Sequence, residues 1–293
     1  MSEMNIPATD VDIVFAILER ETEIDAIDAL MSAMRPEPDN VTLARTALAF
    51  DANVLLKIGK YSWSDDLSDA LRAQTLGPLI VPGQVIQEFW NNQFQAIDSK
   101  AESVKKKFEQ LKTDVDGVDE TFGGFAERFN SLLDEFAGDF GYIYDDKTSG
   151  RIFAFLDVLK DKALVPFAPR ERFSRTARSR KLTKTPPGFK DPGDGDFFVW
   201  ADLLVGLKRA QSGGADFGRV VMVTMDQKID WSRGGTAHPI LSAEIKALTG
   251  ATFETWNLEK LKRLLLDEVA PQEIDPVAST EIGVAPLVAA TAD

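Results

Sequence analysis

The 293-residue sequence predicts an α/β protein, a three-layer α/β/α sandwich around a central parallel sheet. Three observations carry that prediction. The apolar run Ala47-Leu48-Ala49-Phe50 stops at Asp51, and a second apolar run follows it, as at the carboxyl end of a buried parallel strand. Arg219-Val220-Val221-Met222-Val223-Thr224 is continuous and β-branched. Strand-like and helix-like segments alternate between and beyond these two, the pattern of parallel strands joined by helical crossovers.

The elements follow in chain order. Over residues 10–34, Ile13, Val14, Ile17, Leu18, Ile24, Ile27, Leu30, Met31 and Met34 recur at helical spacing, with Thr9 or Asp10 as N-cap. Pro36-Glu37-Pro38-Asp39-Asn40 breaks that helix and reads as a linker. The first strand is Thr46–Phe50, and a helix covers Asp65–Gln74. Leu79-Ile80-Val81 is a second strand, stopped by Pro82. A long helix is expected from Gly83 to Leu111, with further helices near 118–136 and 149–160. Leu164-Val165-Pro166 is a weaker third strand, and residues 195–210 read as a helix. After the 219–224 strand come a helix at Ala243–Leu248, a strand at Thr252–Trp256 and a helix at Leu258–Leu266. The tail beyond Ala270 is expected to be disordered. The implied division is an acidic N-terminal helical segment and linker (1–40), a main domain (41–266) with a helical insertion near 83–160, and the tail (267–293).

Composition narrows the function classes. The hydrophobic fraction of 44% and mean hydropathy of -0.14 fit a soluble globular protein, and no apolar stretch is long enough to span a bilayer. The start has no basic n-region, so no signal peptide is expected. With no cysteine, disulfides, thiolate zinc sites and cysteine nucleophiles are all excluded, which suits the cytoplasm. His238 is the only histidine, so no mechanism within one chain can use two imidazoles. The net charge of -14 argues at first against a nucleic-acid partner. Yet residues 1–40 carry -8 and residues 267–293 carry -6, which leaves the body neutral.

Four places hold acids at the ends or starts of core elements: Asp51 after the first strand, Glu88 on the helix after the second, Asp194 and Asp196 opening a helix, and Asp226 after the 219–224 strand. Carboxyl ends of neighbouring parallel strands lie side by side, so these groups can converge on one crevice. Clustered carboxylates repel, and a hard divalent cation relieves the repulsion. Mg²⁺ or Mn²⁺ held this way supports phosphodiester hydrolysis. Each acid also has a plainer role: Asp51 and Asp226 as turn residues, Asp194 and Asp196 as N-caps, Glu88 as a surface acid. Arg170, Arg172, Arg175, Arg178, Arg180, Lys181 and Lys184, with Lys190 beyond, form a basic stretch that reads as a phosphate-binding patch or as a solvated helix face. No P-loop and no Gly-x-Ser-x-Gly elbow is present. Asp216-Phe217-Gly218 lacks the rest of a kinase, and Asn53 stands where a haloacid-dehalogenase phosphatase would want a second aspartate.

Phe50-Asp51-Ala52-Asn53-Val54-Leu55-Leu56 resembles the opening strand of PIN-domain nucleases. Glu88-Phe89, Pro186-Pro187-Gly188-Phe189-Lys190-Asp191, Gly195-Asp196-Phe197 through Trp200, and Val223-Thr224-Met225-Asp226 through Asp230-Trp231 follow in the order seen in a bacterial PIN-like family with a long helical insertion. The resemblance covers roughly 46–256. It implies that Asp51, Glu88, Asp196 and Asp226 are the acidic metal ligands, with Asn53 and Thr224 in support. Met225 departs from the family's paired aspartates. A Mg²⁺- or Mn²⁺-dependent nuclease is implied, acting on RNA rather than DNA, with toxin-like or phage-defence relatives. A non-catalytic nucleic-acid-binding module and a metal-dependent phosphatase are the alternatives. The acidic N-terminal segment is expected to occlude the basic cleft, to hold a protein partner, or simply to pack on the sheet or at a dimer contact.

Overall fold

The computed structural model describes residues 8–34, 42–92, 146–225 and 228–267, with a few positions between 107 and 132. The second part of the helix expected over 83–111, the helix expected near 118–136 and the tail expected to be disordered lie essentially outside the described residues.

Five strands form one parallel sheet: β1 (Thr46–Phe50), β2 (Leu79–Ile80), β3 (Ala163–Leu164), β4 (Arg219–Val223) and β7 (Thr252–Trp256). Their order is β3-β2-β1-β4-β7. Between β4 and β7 the short strands β5 (Ser232–Arg233) and β6 (Thr236–Ala237) pair as a separate antiparallel ribbon. β1 lies at the centre, with β2 on one side and β4 on the other. The chain thus leaves β1 in one direction and returns on its other side, which opens a crevice beyond the carboxyl ends of β1 and β4.

Every β1 residue is buried, as a strand covered on both faces must be. The helices flanking the sheet are α1 (Asp10–Leu18), α2 (Ala26–Met34), α3 (Ala52–Lys57), α4 (Ser64–Ala73), α5 (helical at 83–92), α6 (Asp146–Lys162), α7 (Arg170–Leu182), α8 (Gly195–Ser212), α9 (Pro239–Thr249) and α10 (Leu258–Lys262). The helix expected at Leu258–Leu266 ends at Lys262 and continues as a wider π-type turn over Arg263–Asp267. α8 is buried around most of its circumference, from Phe197 to Leu207. Trp200 is wholly buried on it and meets Phe253 of β7 edge-on at 5.2 Å. Aromatic anchors of this kind each contribute on the order of 2–3 kcal/mol by burial. His238 caps α9 by accepting from the Ile240 N–H at 3.2 Å, and burial lowers its pKa, in keeping with a neutral acceptor.

The N-terminal segment differs from the single helix expected over 10–34. Two helices form, joined by a turn in which Arg20 has φ 62°. α1 is capped by a reciprocal pair, Thr9 and Asp12. Its Val14, Ile17 and Leu18 are buried in the main core, and it lies against α8 and α9. α2 lies on α9. The apolar stripe of α1 needed cover, and the body supplies it. The segment is therefore docked on the body.

Candidate metal and nucleic-acid site

Asp51 is the last β1-side residue before α3 and serves as the N-cap of that helix. Its backbone N–H still donates to Val223 O at 3.0 Å, so the β1–β4 ladder runs to the edge of the crevice. One carboxylate oxygen accepts from the Ala52 N–H at 2.7 Å. The other accepts from Asn53 Nδ2 at 2.5 Å and from Thr224 Oγ1 at 2.7 Å. Asn53 Oδ1 in turn accepts from the Met225 N–H at 2.9 Å. Asp51, Asn53 and Thr224 thus form one polar unit that ties the ends of β1 and β4 and fixes the direction of the carboxylate. Asp51 is thus both a cap residue and a member of that polar unit.

Glu88 enters from α5. The start of that helix is held by Asp202, a wholly buried carboxylate on α8, which accepts from the Gln84 N–H at 2.8 Å and the Ala168 N–H at 2.7 Å. Arg170 neutralises Asp202 through two bonds of 2.7 and 2.9 Å. One turn on from Gln84, Glu88 accepts from the Gln84 amide at 3.1 Å. A Cβ at Gly195 would stand 2.6 Å from Glu88 Oε1, so a larger residue there would push the carboxylate aside. Burial raises the pKa of Glu88, and the Asp51 and Asp191 charges add to the rise.

Asp196 lies in the first turn of α8. The loop before α8 is pinned by the Gly188 N–H on buried Asp230 (2.9 Å) and by Arg180 on Pro186 O. Trp231 Nε1 donates to Asp196 Oδ2 at 3.0 Å, and Lys228 Nζ donates to the same oxygen at 3.1 Å. Lys228 also binds Asp191 at 2.7 Å. Burial, with the adjacent Asp191 carboxyl, pushes the Asp196 pKa up to about 6. Burial works in the same direction on Asp191 but is outweighed there, chiefly by Lys228, and its pKa is lowered.

Asp51, Asn53, Glu88, Asp196, Lys228 and Trp231 all line one open cleft of roughly 130 Å³. Asp194 does not line it; its carboxylate pairs with Lys181 at 2.8 Å. Asp226 lies outside the described residues. The donor types suit Mg²⁺ or Mn²⁺, since three carboxylates from three elements offer only hard oxygens, and two of them hold protons more tightly than usual. Yet among the described residues no group of three or more histidine, aspartate or glutamate side chains is gathered closely enough to hold an ion. An ammonium group stands between Asp191 and Asp196.

The basic stretch becomes α7, and the structure corrects several of its expected roles. Arg180 is buried and pairs with the buried Glu244 at 2.7 Å, so it is not a nucleic-acid contact. Arg170 is committed to Asp202, and Lys181 to Asp194 and the Pro192 and Gly193 carbonyls. Arg172 pairs with Asp12 of α1 at 2.7 Å and covers the Phe15 ring. Arg175, Arg178, Lys184 and Lys190 remain on the exposed surface. Sequence reasoning missed Asp191, Lys228 and the buried acids Asp202 and Glu244 as determinants. Asp191 stood at the end of the Pro-Pro-Gly segment, and Lys228 in the turn before Asp230-Trp231; both were legible there.

A family model described as PIN like domain matches residues 47–132. The matched segment is similar to a PIN-like domain, and it contains Asp51, Asn53 and Glu88. No curated protein and no solved structure matches the chain. Among the described residues no helix is long and apolar enough to cross a membrane.

Proposed function

We propose that the chain is a divalent-metal-dependent nuclease that hydrolyses phosphodiester bonds. The observation that supports this reading is the convergence of Asp51, Glu88 and Asp196, from three separate elements, on one cleft beyond the carboxyl ends of the strands. When bound, Mg²⁺ or Mn²⁺ supplies charge stabilisation at the phosphoryl oxygens and eases deprotonation of water. The protein's own part is orientation. Asn53, Thr224 and the Ala52 N–H hold the Asp51 carboxylate in one direction. Glu88, partly buried, keeps its proton to higher pH than a free carboxylate, which suits it to exchange a proton with water in the cleft. Arg175, Arg178, Lys184 and Lys190 offer exposed charge for the phosphate backbone.

RNA as the preferred substrate, and a stress or phage-defence role, rest on the family resemblance of the five motifs. A non-catalytic nucleic-acid-binding module is the second reading, favoured by the ammonium between Asp191 and Asp196. Incubating the full chain with labelled single-stranded RNA and DNA, with Mn²⁺ or with chelator, separates the two. Metal-dependent cleavage is the expected result. Equal binding with and without metal, and no cleavage, would establish the binding module.

A further inference from the structure

Lys228 and Asp196 present a conflict of charge within the cleft. The backbone at Lys228 is fixed, since its carbonyl accepts from the Trp231 N–H at 3.0 Å and the Ser232 N–H at 3.1 Å. From that anchor the side chain crosses to Asp191 and Asp196, and the ammonium lines the same cleft as Asp51 and Glu88. By contrast, the pair of Arg180 with Glu244 is closed to solvent, with side chains 5% and 0% exposed. The Lys228 side chain is 35% exposed, so its ammonium has a way out. Lysine suits such movement, with a flexible four-carbon stem and three donors that need no fixed fork geometry.

A hard divalent cation taken up by Asp196 would share a carboxylate with this ammonium, and two cations on one carboxylate repel. We propose that Lys228 is the exchangeable cation of the cleft: it occupies Asp196 in the absence of a divalent ion, yields that carboxylate when one binds, and turns to a phosphodiester oxygen of the bound nucleic acid. This rests on the nuclease reading above. Asp191, at 2.7 Å, keeps the lysine at the cleft rim during the exchange.

The test uses the full chain. Mn²⁺ is titrated calorimetrically at pH 7.5 into the wild type, Lys228→Met, Lys228→Gln and Lys228→Arg. Both neutral variants should bind Mn²⁺ about tenfold more tightly, because a competing charge is gone, and Lys228→Arg should stay within about twofold of the wild type. With Ca²⁺ in place of Mn²⁺, the neutral variants should bind single-stranded RNA with a salt slope lower by about 0.7. A purely structural lysine predicts the opposite, unchanged or weaker Mn²⁺ binding, and that result overturns the exchange. Because the neutral variants are open to misfolding, a second measurement uses the wild type alone. Amine acylation at Lys228, mapped by peptide mass spectrometry, should rise when Ca²⁺ is added. Unchanged or reduced acylation in a protein that binds Ca²⁺ also overturns the exchange. A wild type that takes up neither ion overturns the metal reading itself, and the two failures are thereby told apart.

Discussion

Thr224 Oγ1 donates to Asp51 Oδ2 over 2.7 Å, joining the carboxyl ends of β4 and β1 across the crevice. The two residues are far apart in sequence, and the parallel register Phe50↔Val223 brings them together. Asp51 is held by three donors, from Ala52, Asn53 and Thr224, so its orientation is set before any ligand arrives. Asp51→Asn keeps the shape and removes the charge. Metal-dependent cleavage should fall at least about a hundredfold, with thermal unfolding changed little. Thr224→Val removes one donor and leaves the charge, so a smaller loss, roughly tenfold, is expected. Single-turnover cleavage beside circular dichroism checks both; wild-type cleavage by Asp51→Asn would show that the chemistry lies elsewhere.

If Asp196 holds the metal as proposed, its raised pKa, about 6, should make metal uptake pH-dependent. The sign follows from competition: a proton and a cation seek the same carboxylate, so affinity is fullest above 6 and falls as pH drops through it. One unit below the pKa, about nine-tenths of the carboxyl is protonated, and Mn²⁺ binding should be about tenfold weaker. Calorimetry at pH 5 and pH 7.5 measures this directly, and Asp196→Asn should abolish the difference that Asp196 supplies. The same shift bears on stability with the opposite sense. A carboxyl whose folded pKa is raised holds its proton in the native state, so its contribution to stability falls as pH rises from about 4 to 6.

On α7 the exposed and buried arginines should behave differently. Arg175→Ala with Arg178→Ala should lower the salt slope of single-stranded nucleic-acid binding by about 1.4, at little cost in stability. Arg180→Ala leaves the buried Glu244 with Arg20 and the Trp200 indole N–H as its remaining partners and should destabilise the fold by about 1.5–3 kcal/mol. Filter binding across a salt series and denaturant unfolding distinguish the two classes. An unchanged slope in the double variant would mean that this face is only solvated.

The docked N-terminal helices make truncation a matter of stability. Deleting residues 1–35 uncovers the core under Val14, Ile17 and Leu18 and removes Arg20, which pairs with Glu244 at 2.6 Å. The truncated chain should unfold at lower temperature or aggregate, without a gain in cleavage at low salt. A soluble, folded truncation with several-fold higher activity would restore the idea that the segment occludes the basic face.

Much of the framework was legible in the linear chain. β1 and β4 are apolar runs that only a doubly covered parallel strand accounts for, and β7 runs from Thr252 to Trp256 as its pattern requires. The acids at the ends of such strands were equally visible, because a carboxylate that stops an apolar run must face away from the core. Periodicity says which face of a segment is apolar, but not what covers it. It therefore merged α1 and α2 into one helix and left the destination of their apolar stripe open. Charge type in a sequence likewise says nothing about partners. Arg170 and Arg180 count as bases in a basic run, yet each is paired with a buried carboxylate on another helix, Asp202 or Glu244. Only the tertiary structure assigns Asp194 to Lys181 and places Lys228 on Asp191 and Asp196. Ion pairs are decided by distance in space, and residues far apart in the chain carry no local trace of meeting.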